Sequence, residues 1–466
     1  MAPAKPSPAA KPTQTSKAAS AAKPSPAAKP SKRVSTALIN ALSSGVVPRV
    51  GVEQIAVGRE KELRVMVQDL DNVAAGGAAF RFVVGRYGAG KSFTLQLIRN
   101  QALEKGFVVA DADITPERRL AGSNGASLLT YRELMKNLST KSRPEGGALT
   151  MILERWIAGI QTQVAQESGL KPNDNGFDDR VETKIREVVK DVADLVNGFE
   201  FANVIIAYWS GYRHDDDARK EAALRWLRGE FSTRTEARNA LGVRVIIDDE
   251  SWYDYIKLFA RFISDIGYKG LLVILDEAVH LYKISVSVAR QHNYDKLLAM
   301  FNDAMQGRVA HLYTLIGGTP QFLEDPRRGL YSDPAWQRRT VKSRLLKAGV
   351  QDVSGPAIRL EPLTQEEILQ LLERLSEIHA AHYNTKPVLS QAELKDFLQV
   401  IINRLGADAL LTPGEIVRDL MSILNILQQN PKLTLGQVLQ DSSFQATRSL
   451  TATEPEEESQ FAEFTV

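Results

Sequence analysis

Eight residues, Gly85-Arg86-Tyr87-Gly88-Ala89-Gly90-Lys91-Ser92, limit the folds open to this chain more than any other part of it. They follow AFRFVV, from Ala79 to Val84, which has the β-branched and aromatic bias of a buried strand. They run into SFTLQLIRNQALEK, whose Phe93, Leu95, Leu97, Ile98 and Leu103 recur at helical spacing. Strand, glycine-rich turn and helix together give the G-x-x-x-x-G-K-[ST] pattern of a Walker A loop. Gly85, Gly88 and Gly90 let the backbone turn and bring its N–H groups onto phosphate oxygens, and the helix offers its positive end. Lys91 is expected to reach the β- and γ-phosphates and the Ser92 hydroxyl to ligate Mg²⁺, with Arg86, Tyr87, Ala89 and Phe93 completing the ATP-binding segment.

Hydrolysis needs a second element, a buried strand ending in an acid that holds Mg²⁺, with a base beside it. Leu271-Leu272-Val273-Ile274-Leu275-Asp276-Glu277 has that form: five aliphatic residues, then two carboxylates at the end where ligands bind in parallel α/β sheets. In this Walker B reading Asp276 is the Mg²⁺ partner and Glu277 the general base. Adjacent acids point to the additional-strand branch of P-loop NTPases, in which a further strand lies between the loop strand and the acidic strand. His311 to Ile316, followed by Gly317-Gly318-Thr319-Pro320, is the expected further strand, with Thr319 as sensor of the γ-phosphate. Gly106 to Ala110, leading to Asp111 and Asp113, reads as the strand after the loop helix, and Ala357 to Leu360 as the last.

The rest of the composition narrows the chemistry. There is no cysteine, which excludes disulfides, thiol catalysis and cysteine-ligated metals. No run of 18 apolar residues occurs and the N-terminus lacks a signal-peptide core, so no membrane partner and a cytoplasmic location are expected. The net charge of +2 hides an asymmetry: residues 1–33 carry +7 and residues 449–466 carry −5. Residues 1–34, where AKPSPAAKP occurs twice, are expected to form a disordered basic Pro/Ala/Lys tether, and 441–466 a disordered acidic tail in which Phe461 and Phe464 could dock.

Other segments resemble AAA+ ATPases of the Orc/Cdc6 type. Val57-Gly58-Arg59-Glu60-Lys61-Glu62-Leu63 looks like the box that lies by the adenine in that family, which implies nucleotide contact for Arg59. Val341-Lys342-Ser343-Arg344-Leu345, followed by IRLEPLTQEEILQLL, is similar to the stretch running from the intersubunit arginine into the lid. Gly414-Glu415-Ile416-Val417-Arg418-Asp419-Leu420 looks like the lid helix bearing a second sensor, Arg418. Within that superfamily, GRYGAGKSF, RWLRGE at 225–230 and GYKGLLVILDEA at 267–278 most resemble the BrxD-type ATP-binding proteins of bacterial BREX phage-defence systems.

The resemblance leaves roughly 113–245 as an insertion, with helical patterns from Ala148 to Gln166 and from Arg180 to Val196. Residues 35–361 are then the ATPase core and 362–440 a helical lid, opened by the capping box Thr364-Gln365-Glu366-Glu367. The basic run 338–344 admits three readings: an arginine finger for a neighbour's γ-phosphate, with Arg344 first and Arg339 second; a contact to nucleic-acid phosphates; or a solvated helix face. His379 and His382 read as an ordinary helix pair, and Tyr208, Trp209, Tyr212, Trp226, Trp252 and Tyr253 as core.

The expected fold is thus α/β: an additional-strand, AAA+-like P-loop NTPase with a doubly wound parallel sheet, a largely helical insertion and a C-terminal helical lid. The expected ligands are ATP and Mg²⁺. A homo-oligomer, partner defence proteins and DNA are the candidate partners. Two functions stay open: a hydrolysing motor or remodeller of DNA or a DNA-bound complex, and a nucleotide-gated adaptor with negligible turnover and no direct DNA contact.

Overall fold

Strands whose residues are apolar on both sides have to be sandwiched between helices, and two strands here are buried along their whole length. The computed structural model describes residues 31–341, apart from 173 and 194, together with 353–405 and 412–440. Arg344, residues 1–30 and residues 441–466 lie outside the described residues.

In chain order, α1 (Lys32–Ser43) and α2 (Glu60–Ala74) precede β1 (Ala78–Val84), α3 (Lys91–Glu104) and β2 (Val108–Asp113). Seven helices follow: α4 (Ala126–Lys136), α5 (Leu149–Ser168), α6 (Phe177–Ala193), α7 (Gly198–Arg213), α8 (Asp217–Leu227), α9 (Arg234–Leu241) and α10 (Trp252–Asp265). Then come β3 (Leu271–Asp276), α11 (Val279–Tyr282), α12 (Ser287–Met305), β4 (Leu312–Gly318), α13 (Pro320–Glu324), α14 (Pro334–Thr340) and β5 (Ala357–Arg359). The chain closes with α15 (Gln365–Tyr383), α16 (Gln391–Leu405), α17 (Pro413–Gln429) and α18 (Leu435–Gln440).

The five strands form one parallel sheet in the order β2-β3-β4-β1-β5, so β4 does lie between the loop strand and the acidic strand. Because every pair is parallel, Val84, Asp113, Asp276 and Gly318 come out at one edge, and the register sets Asp113 beside Asp276 and Val84 beside Gly318. Alternate residues face opposite sides. Phe80, Phe82, Val108, Ala110, Val273 and Leu275 share one core with the helices α4 to α10 and α12, whereas Val83, Val109, Leu272, Ile274 and Leu315 share another with α2 and α3.

The segment between β2 and β3 is helical and shares the core of the sheet. Trp156 packs edge-on to Phe262 at 5.1 Å and Trp226 to Tyr255 at 5.2 Å. Tyr208, Trp209, Trp226, Trp252 and Tyr253 are all buried there, so these aromatics build core rather than a free surface. The Asp249 carboxylate, from the far end of the segment, accepts from the Gly125, Ser127 and Leu128 amides at 2.7, 2.9 and 2.9 Å and so caps α4.

The C-terminal helices have a core of their own, in which Leu372, Leu375, Leu420 and Leu424 pack together. The expected capping box is formed: Thr364 Oγ1 accepts from the Glu367 amide at 3.2 Å, and Glu367 Oε2 from the Thr364 amide at 2.8 Å. Two boundaries differ from expectation. α1 begins at Lys32, with the Ser31 hydroxyl accepting from the Val34 amide, so residues 32–34 are helical rather than tether. Leu38, Ile39, Ile55 and Val57 join the C-terminal helical core instead of the sheet, because they face α15 and α17 across the chain's two ends. Among the described residues no helix is long and apolar enough to cross a membrane.

Candidate functional site

The Gly85–Ser92 loop leaves β1 at Val84 and enters α3 at Lys91, as the strand–turn–helix pattern requires. The Gly85 amide donates to the Gly318 carbonyl at 3.1 Å, which ties the loop to the end of β4. Gly88 has a φ of +75°, and a Cβ there would meet the Thr412 side chain at 2.6 Å, so both backbone and space demand glycine. Thr412 directly precedes α17, and the C-terminal helices therefore rest on the loop itself.

Lys91 is buried and donates to the Arg86 carbonyl at 3.1 Å. Burial lowers its pKa, opposed by the nearby charges of Asp276 and Glu277. Arg86 and Tyr87 are exposed, and the Lys91 ammonium lies 6.0 Å from the Tyr87 ring centroid. Phe93 is half-buried against the C-terminal helical core.

Ser92 Oγ donates to Asp276 Oδ2 at 2.7 Å, and Asp276 Oδ1 accepts from the Glu277 amide at 2.8 Å. The two halves of the sequence motif thus meet across neighbouring elements, with Asp276 only 8% exposed. β4 passes so close that a Cβ on Gly317 would run into Asp276 Oδ1, and the Ala278 amide donates to the Gly317 carbonyl at 2.9 Å. Glu277 adopts a left-handed φ of +57°, unusual for a residue with a side chain. Its carboxyl is pushed up by burial and by the Asp276 charge, against the pull of Lys91. Asp113, beside Asp276 in the register, is raised for the same two reasons. Among the described residues no group of three or more His, Asp or Glu could cage a metal ion. One carboxylate and one hydroxyl beside a glycine-rich loop of Walker A pattern suit Mg²⁺, which keeps waters and takes further oxygens from phosphates.

Thr319 comes directly after β4, and its hydroxyl accepts from the Phe322 amide at 3.3 Å, capping α13. This leaves the hydroxyl proton free to donate. Arg59 is 5% exposed and donates from Nη2 to the Ala89 carbonyl at 3.0 Å, with Glu62 3.9 Å from Nη1. It braces the loop backbone from below, and burial lowers its pKa. Arg418 is exposed on α17, and its Cδ would lie 3.7 Å from a Cβ at Gly45, just after α1. Arg339 is exposed on α14 and donates to the Ala335 carbonyl at 2.8 Å. Sequence reasoning gave Gly317, Thr412 and Asp113 no part in the site; only the Gly317-Gly318 doublet carried a signal, since two glycines ending a buried strand imply a close neighbour.

A family model described as BREX system ATP-binding protein BrxC/D matches residues 31–443. The chain belongs to this family. The match spans the sheet, the helical segment between β2 and β3, and the C-terminal helices, so the whole described architecture belongs to the family rather than the loop alone. Its description makes ATP the nucleotide and places the chain among the proteins of BREX phage defence. No curated protein matches the chain.

Proposed function

We propose that the chain is a Mg²⁺-dependent ATPase of AAA+ type, with a doubly wound core and a lid formed by α15 to α18, as in the Orc/Cdc6-like proteins it resembles. The observation that carries this reading is the Ser92–Asp276–Glu277 arrangement beside Lys91. Lys91 would hold the β- and γ-phosphates. Ser92 and Asp276 are the residues to hold Mg²⁺, which when bound neutralises developing charge on the phosphates. Glu277, raised by burial, accepts a proton from the water that attacks the γ-phosphorus as the bond to the β–γ bridging oxygen breaks. Thr319 would donate to the γ-phosphate from the end of β4, and Arg418 from the lid. Arg344 would come from a neighbouring subunit, with Arg339 as the second choice.

In this reading ATP turnover drives a cytoplasmic oligomer that moves or remodels DNA, or a DNA-bound complex of partner defence proteins. The test is phosphate release with and without double-stranded DNA, with mass measured in each nucleotide state. Turnover stimulated by DNA, and a mass that rises with ATP, are expected. Negligible turnover that ignores DNA would replace the motor with the nucleotide-gated adaptor.

A further inference from the structure

From Ala278 to Tyr294, immediately after the acid-bearing strand, the chain contains no acidic residue. Lys283 is exposed in this segment and Arg290 half-buried, while Val286 and Val288 stand 61% and 62% exposed at the start of α12. The segment following β4 carries Arg327 and Arg328, both exposed.

These two segments are bonded into one crest. Arg290 Nη1 donates to the Ile284 carbonyl at 2.7 Å, and Arg328 Nη2 to the Tyr282 and Ile284 carbonyls at 3.3 and 3.4 Å. The Arg328 guanidinium lies 5.4 Å from the Tyr282 ring centroid. Tyr282 Oη donates to Asp325 Oδ2 at 2.9 Å, and Asp325 Oδ1 accepts from the Arg327 and Arg328 amides at 2.7 and 3.1 Å. Asp325 is therefore occupied by the scaffold. Lys283, Arg290, Arg327 and Arg328 form no ion pair among the described residues, whereas Glu324 in the same segment is paired with Arg359 at 2.7 Å, which leaves four cations against the Asp325 carboxylate.

The crest also sits where it can act on the nucleotide. β3 and β4 are adjacent inner strands, so both segments leave the sheet edge that carries the Gly85–Ser92 loop. Lys283 is six residues beyond Glu277, and Arg327 eight beyond Thr319.

We propose that this crest binds the phosphate backbone of duplex DNA and passes its occupancy to the ATP site through the short segments 277–283 and 319–327. The proposal rests on the ATPase reading and supplies its DNA contact. Guanidinium and ammonium groups standing out from a surface match backbone phosphates, the guanidinium with its planar fork and the ammonium as a point charge. An acidic peptide fits less well: it would need a groove or a free strand edge, and the crest follows inner strands that are paired on both sides.

The test uses the full chain and a labelled mixed-sequence duplex, titrated by fluorescence anisotropy over a range of salt. The wild type is compared with Lys283→Ala/Arg327→Ala, whose side chains make no bond within the crest. The N-terminal residues 1–33 carry seven further cations that the variant leaves untouched, so the informative quantity is the change in salt slope. Loss of two contacts should flatten log K against log salt by about 1.8. Affinity for a labelled ATP analogue should stay unchanged, and DNA-stimulated phosphate release should fall to the basal rate. An unchanged slope with ATP binding intact overturns the crest and leaves the ATP site standing, as does full stimulation surviving in the variant for the coupling. Wild-type protein that binds no ATP analogue sinks the underlying reading instead. A labelled polyglutamate peptide that binds the wild type and loses the variant, while the duplex slope is unmoved, would make the crest a protein site and defeat the proposal.

Discussion

Ser92 Oγ donates a 2.7 Å hydrogen bond to Asp276 Oδ2 although 184 positions separate the two residues in sequence. β4 pairs with β1 and lies between it and β3, so the bond links the first turn of α3 to a strand one removed from the strand that feeds the loop.

Glycine at 317 is what lets this pair form. Gly317→Ala would drive a Cβ into Asp276 Oδ1 and must displace either the carboxylate or β4. Overpacking at such a site costs about 1–3 kcal/mol, so a lower Tm is expected, together with a weaker Mg²⁺ dependence of ATP binding measured by titration calorimetry. A variant with wild-type Tm and Mg²⁺ dependence would mean that Asp276 is not held where the structure has it.

Arg59 acts on the loop from beneath. Arg59→Ala leaves the partly buried Ala89 carbonyl without its charged donor. A hydrogen bond to a charged group contributes about 1.5–3 kcal/mol, so a roughly tenfold loss of ATP affinity with little change in far-UV circular dichroism is expected. Contact with the adenine alone would instead make the loss depend on the base, which a comparison of ATP with GTP reveals.

The cap on α15 provides a control far from the nucleotide. Thr364→Ala removes one half of the capping box and should lower stability by about 1 kcal/mol in urea unfolding, with ATP affinity unaltered.

Much of this was readable in advance because its signals are local. The loop from Gly85 to Ser92 and the apolar run ending at Asp276 each specify a strand and its adjoining turn within a dozen residues, and two adjacent acids implied the interposed β4. The features that stayed hidden depend on contacts between distant parts of the chain. Nothing near Leu38 announces that α1 packs with α17, nothing near Gly88 that Thr412 will rest on it, and nothing at Asp249 that it will cap α4. Resemblance alone suggested a nucleotide contact for Arg59; its bond to the loop stayed hidden, because its partner is a backbone carbonyl and carries no side-chain signature.

The C-terminal helices should respond to acid through His379. It is buried, with Nε2 3.1 Å from Asn425 Oδ1, and burial lowers its pKa below the ordinary value of about 6.5. The folded state then binds fewer protons than the unfolded chain, so stability is complete above about pH 6.5 and declines as pH falls from there toward the folded value. His379→Gln should flatten that decline in a series of thermal melts. A wild type and variant with parallel pH profiles would exclude His379 as the cause.

The most direct test of the ATPase account is the Glu277→Gln variant, with phosphate release and ATP binding measured on the same preparation. Loss of a positioned general base lowers turnover by about 10²–10⁴-fold. The account predicts a fall of that size with labelled ATP still bound at wild-type affinity or tighter. Turnover at the wild-type rate in Glu277→Gln would contradict it.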